Sequence, residues 1–103
     1  MSEVVFVRSG RILDILAPTA AATVTGSWMF KDAPKSTIQV VATAAATVVI
    51  DASNDGVNAI ATVLGTVTLA GAGSDGFTTD APWKYIRARV TANSGTVNVI
   101  SCV

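Results

Sequence analysis

The sequence predicts an all-β fold, a two-sheet antiparallel β-sandwich of seven or eight strands. Three observations predict it. Turn signals recur along the whole chain, leaving segments of about 6–10 residues between them, which is strand length. Those segments are rich in Val, Ile and Thr, which fit a pleated surface, while Leu and Glu are scarce. Apolar and polar residues alternate with a period of two in at least four segments. A jelly roll is one form of such a sandwich, and a barrel is a second closure the pattern allows. The 103 residues are one domain's length, so 1–103 reads as a single sandwich domain.

The elements follow in chain order. Residues 4–8 and 11–16 read as a strand pair joined across Ser9-Gly10. Residues 23–30 read as a strand with Trp28 and Phe30 on one face. In 37–43, Ile38, Val40 and Ala42 share a face opposite Thr37, Gln39 and Thr43. In 46–51, Ala46, Val48 and Ile50 oppose Thr47, Val49 and Asp51. Residues 53–56 read as a turn. In 63–69, Val63, Val67 and Leu69 oppose Leu64, Thr66 and Thr68, and Gly71, Gly73 and Gly76 mark a loop over 71–76. In 85–91, Ile86, Ala88 and Val90 take the core face, with Arg87, Arg89 and Thr91 outward. The last strand buries Val97 and Val99 opposite Asn98 and Ile100. The Ala-rich stretches 19–25 and 41–47 carry Thr and β-branched flanks, which favour strand and loop over helix. Val41, Val49, Leu64 and Ile100 should form an apolar outer surface.

Composition narrows the function. Half the residues are hydrophobic, 14% are charged and the formal net charge is +0. That excludes a polybasic nucleic-acid binder and argues against disorder. It also leaves little repulsion between copies, which points to a homo-oligomer, with closed rings preferred over open chains. No segment has the apolar centre of a signal peptide, and none approaches the ~20 apolar residues of a membrane span. The reading is a protein made in a cytoplasm, with no membrane partner.

Chemistry has few carriers. There is no His, so a Ser or Cys nucleophile lacks its usual base. Cys102 is read as a buried or half-buried structural residue, and Lys31, Lys35 and Lys84 as solvated. Asp51, Ser53, Asp55 and Gly56 occupy positions 1, 3, 5 and 6 of a calcium-loop pattern. Position 12 is Thr62, however, where that loop needs a bidentate Glu, so a turn is preferred over a metal site. Asp75 and Asp80 read as loop residues. No catalytic, cofactor or metal residue is assigned. Trp28 and Trp83 are read as closing the ends of the sandwich. Leu64, Thr66, Arg87, Arg89 and Ile100 are the candidate interface residues.

Two segments carry a resemblance. The strand leading into Ser53-Asn54-Asp55-Gly56, and the strand Pro82-Trp83-Lys84-Tyr85-Ile86-Arg87 that pairs with a last strand across Ser94-Gly95, resemble small β-sandwich virion proteins of tailed bacteriophages. The resemblance covers about half the chain. It implies a non-enzymatic virion subunit, foremost a capsid decoration or cement protein whose partner is the major capsid protein or another virion subunit. It implies symmetric oligomers and supplies no catalytic residue. The alternative is a tail or fibre module binding a receptor or glycan, which would need Trp28 or Trp83 exposed beside a polar groove.

Overall fold

The computed structural model describes residues 12–31 and 34–102. They form nine strands: β1 (Ile12–Thr19), β2 (Val24–Thr25), β3 (Met29–Phe30), β4 (Ser36–Ala42), β5 (Ala46–Ser53), β6 (Gly65–Leu69), β7 (Gly73–Thr79), β8 (Tyr85–Asn93) and β9 (Val97–Cys102). The first sheet has the order β1-β9-β4-β7, the second β2-β8-β5-β6, with β3 also on β8. Every pairing is antiparallel. The pairs are nested: β5 with β6, β4 with β7, β2 and β3 with β8, β1 with β9. The chain is therefore one long hairpin rolled up, with its tip at the loop 54–64. The sequence-predicted pair of 4–8 with 11–16 lies largely outside the described residues. Among those residues no helix is long and apolar enough to cross a membrane.

The period-two readings place the core. Ile38, Val40 and Ala42 of β4, Val48 and Ile50 of β5, Ile86, Ala88 and Val90 of β8, and Val97 and Val99 of β9 are all buried and belong to one cluster between the sheets. Burying a Val or Ile side chain is worth roughly 1.5–3 kcal/mol, so this shared layer is the main source of stability. Phe77 of β7 and Leu64, just before β6, pack against the same cluster. A Cβ on Gly65 would lie 2.5 Å from the Phe77 ring, so glycine is what lets the two edge strands close over that side.

Four expectations need correction. First, there are nine strands among the described residues, not seven or eight. The 23–30 segment is split: Thr25 pairs with Arg89 and Met29 with Ile86, so three residues face two, which is a β-bulge. Second, the Gly-rich stretch read as a loop is mostly strand. β7 pairs with β4 along its whole length, and Gly76 lies so close to the Ile38 carbonyl that no side chain fits there. Asp75 therefore sits in a strand, opposite Val40 on the inner side, yet exposed at the sheet edge. A charge so placed blocks further strand addition. Third, the expected apolar outer surface shrinks. Val41 is exposed and Ile100 half-buried, but Val49 is buried and Leu64 packs on the core, because β6 starts after Leu64. Fourth, Cys102 is exposed, since it falls on the outward parity at the end of β9.

Candidate functional site

The outer face of the second sheet holds a cluster of charged side chains. β5 and β8 pair so that Asp51 stands opposite Arg87, and Val49 opposite Arg89. Arg87 Nε donates to Asp51 Oδ2 at 3.0 Å. Arg89 donates through Nε to Oδ2 at 3.0 Å and through Nη2 to Oδ1 at 3.1 Å. Asp51 is buried while the two guanidinium groups reach solvent. Burial alone would raise the Asp51 carboxyl, but the hydrogen bonds and charges of Arg89 and Arg87 outweigh it and hold the group below its ordinary value. The same contact raises Arg89 further. Two cations around one anion leave the face with a net positive charge.

Aromatic side chains border this cluster. The Arg87 guanidinium lies 4.4 Å from the centre of the Trp28 ring, a cation–π contact. Trp28 thus lies over the outer face and does not close an end of the sandwich as expected; the bulge before Met29 sets its position. Phe30 packs edge-on against Tyr85 at 5.7 Å, and half of its surface is exposed. Gly56 lies under the Tyr85 ring, where a Cβ would come within 3.4 Å. Trp83 is half-buried and lines a shallow cavity of about 230 Å³ with Asn54 and Pro82. A larger open groove of about 430 Å³ lies along the paired strands β2 and β8, lined by Thr23, Val24, Thr25, Arg89, Val90 and Thr91.

The 53–58 turn explains its own composition. Ser53 Oγ accepts from the Asp55 and Gly56 N–H groups and donates to Asp55 Oδ1. Asp55 Oδ1 also accepts from the Val57 and Asn58 N–H groups, and Oδ2 from Asn58 Nδ2. These bonds hold the Asp55 carboxyl well below its ordinary range, led by the Asn58 N–H. Gly56 has φ +69°, in the left-handed region that favours glycine. Asp51 is committed to the arginines and Asp55 to the turn, so the two carboxylates serve separate networks. Among the described residues no group of three or more acidic, Cys or His side chains converges.

Lys31 corrects another expectation. It is 2% exposed, where a solvated side chain was predicted. Its Nζ donates to the Pro34 carbonyl at 2.6 Å and the Ala81 carbonyl at 2.9 Å, tying two crossover loops together. Desolvation, then the nearby Lys84 charge, lowers its pKa. Lys35 and Lys84 are exposed, as read.

The candidate interface residues divide. Thr66, Arg87 and Arg89 share the outer face of the second sheet, with Thr66 and Arg89 flanking Val49 from either side. Ile100 is on the outer face of the first sheet, between Asp14 and Gln39. Leu64 faces the core. Sequence reasoning missed Asp51 as the partner of both arginines. Its signal was a lone acid in an apolar strand.

No family model matches the chain, and no curated protein matches it. Solved structures do. The SPBc2 prophage-derived protein YomS is 11% identical with a TM-score of 0.75, over 98% of this chain and 98% of its own. A protein of Bacillus endospore appendages, described as disulfide-linked pili, is 14% identical with a TM-score of 0.50, over 90% of this chain and 80% of its own. The K1 cleaved adhesin domain of Lys-gingipain from Porphyromonas gingivalis W83 is 15% identical with a TM-score of 0.51, over 95% and 92%. At these identities the likeness is one of fold: this chain shares its all-β two-sheet architecture with a prophage-derived protein, an appendage protein and an adhesin domain.

Proposed function

We propose that the protein is a non-enzymatic structural subunit of a bacteriophage particle, which decorates the head shell by binding the major capsid protein. The observation that carries this reading is the match to a prophage-derived protein over nearly the whole of both chains. The resemblance to phage virion sandwiches in the 53–56 turn and the 82–87 strand supports it independently. The chain acts as a single domain over 1–103, made in the host cytoplasm and incorporated into the virion as a homo-oligomer. Its nested strand pairing supports a jelly-roll description, with β2 and β3 counted as one interrupted strand.

A second reading has its own observation. The adhesin-domain likeness and the small cavity at Trp83, Asn54 and Pro82 favour a tail or fibre module that holds a receptor or glycan. Purified protein mixed with particles, isolated head shells and isolated tails separates the two. Saturable co-sedimentation with shells supports decoration. Binding to tails alone transfers the assignment to the second reading, and binding to neither overturns both.

A further inference from the structure

Both outer faces of this sandwich carry exposed apolar residues, and the described residues give the two faces charges of opposite sign. The large hydrophobic side chains exposed among the described residues are Ile12, Val41, Phe30 and Val57. Ile12 and Val41 lie on the outer face of the first sheet, where Ile12 pairs with Cys102 and Val41 with Asn98. Phe30 lies on the outer face of the second sheet against Tyr85, and Val57 is in the turn beside that ring. Among the described residues, Asp14 is the one charge on the outward parity of the first sheet's strands, next to Ile12 and Ile100. The second sheet's outer face carries Arg87 and Arg89 against Asp51, a net charge of +1. Each face thus has an apolar anchor beside a charge, and the charges are opposite.

We infer that the protein associates front to back with a second copy of itself, the Ile12/Asp14/Ile100 face of one copy docking on the Phe30/Tyr85/Arg87 corner of the next. Trp, Tyr, Phe and Arg are the residue types enriched in interface cores, and this corner supplies them already fixed. Asp51 holds Arg87, Arg87 covers Trp28, and Tyr85 is held between Phe30 and Gly56. Side chains ordered before contact lose less entropy on binding. The slab measures 41 × 38 × 17 Å, so either broad face exceeds the ~800 Å² per partner of a stable interface. Two different surfaces meeting make a heterologous contact, which closes into a ring if the rotation allows and otherwise grows as a row. The inference deepens the building-block reading, but it stands or falls on self-association and not on any binding to shells.

The test uses the full chain and two substitutions on opposite faces, Asp14→Arg and Phe30→Asp, with Phe30→Ser as a second variant if the aspartate disturbs folding. Near-ultraviolet circular dichroism and melting confirm the fold of each. Sedimentation velocity of the unaltered protein should give a mass that rises with concentration above 10.5 kDa and falls as salt is added. Each variant alone should lose at least about tenfold in association constant. Mixed together, the two should form a dimer and stop there, because Phe30→Asp keeps one intact face and Asp14→Arg keeps the other. A protein that is monomeric up to about 1 mM overturns the inference. So does association broken by one variant and untouched by the other, which marks a two-fold contact of one face with itself.

Discussion

β5 and β7 are similar in length and are opposites in almost every other respect. β5 lies between β8 and β6, and its residues are buried on both parities apart from a half-buried Thr47. β7 is an edge strand, exposed along most of its length and anchored to the core by Phe77. In β5 the side chains do the work. The inward set fills the core, and the outward Asp51 gathers two arginines from the neighbouring strand. In β7 the backbone does it, through a full antiparallel ladder to β4 and a glycine that lets the strands approach. Strand stability can therefore reside in side chains at the centre of a sheet and in missing side chains at its edge.

The largest effect should come from the charge at the centre. Asp51→Ala leaves two arginines without their carboxylate, and removing one partner of a buried pair costs 3–5 kcal/mol. Both guanidinium groups are partly solvated, at 22% and 36% exposure, so we expect about 2–4 kcal/mol in urea unfolding. The same pair sets the acid limit. The Asp51 and Asp55 pKa values are depressed in the folded state, so their contribution is complete above the unfolded value near 3.9 and is lost as pH falls through the folded values. The Asp51→Asn variant should show a flatter acid limb; an unchanged limb would mean the pair is not coupled to folding.

At the edge, Gly76→Ala should cost about 2–3 kcal/mol although the site is exposed, because the added methyl meets the Ile38 carbonyl. Loss of only a few tenths would show that β7 rides free of β4. A smaller effect of the opposite sign is expected at Ser101, whose hydroxyl is buried without a hydrogen-bond partner. Ser101→Ala should stabilise by up to about 1 kcal/mol, read as a raised melting temperature. Smallest of all is Asp75→Ala on β7, within about 0.5 kcal/mol, with its consequence seen instead as increased aggregation at the bared edge.

The same contrast explains what could be read from sequence. β4, β8 and β9 were legible because one face is buried and the other wet, so the alternation is printed in the residues. β7 was not, because its composition, Gly-Ser-Asp-Gly, is that of a loop, and what makes it a strand is a neighbour more than thirty residues earlier. The outward direction of Asp51, Arg87 and Arg89 was legible, but not their meeting, which depends on a register set 36–38 residues apart. Lys31 gave no local sign of burial, since its acceptors come from two loops brought together only by the finished fold. For Trp28 the face it shares with Phe30 was legible, but neither the break in the strand nor its contact with Arg87 was, because a bulge cannot be seen without the partner strand.

The nesting of the strands bears on synthesis. β9 lies between β1 and β4, with Ile12 opposite Cys102, ninety residues apart. Until β9 has been made, the first sheet has a gap at its centre, and β1 and β4 each present an unpaired edge. The second sheet can assemble earlier, as soon as β8 follows β5 and β6. A nascent chain therefore waits half-folded, with one sheet complete and a slot of strand width open in the other. Any strand that enters the slot first, including β9 of another copy, would give a domain-swapped product. Fast closure of β9 into the slot then matters as much to yield as the stability of the finished sandwich.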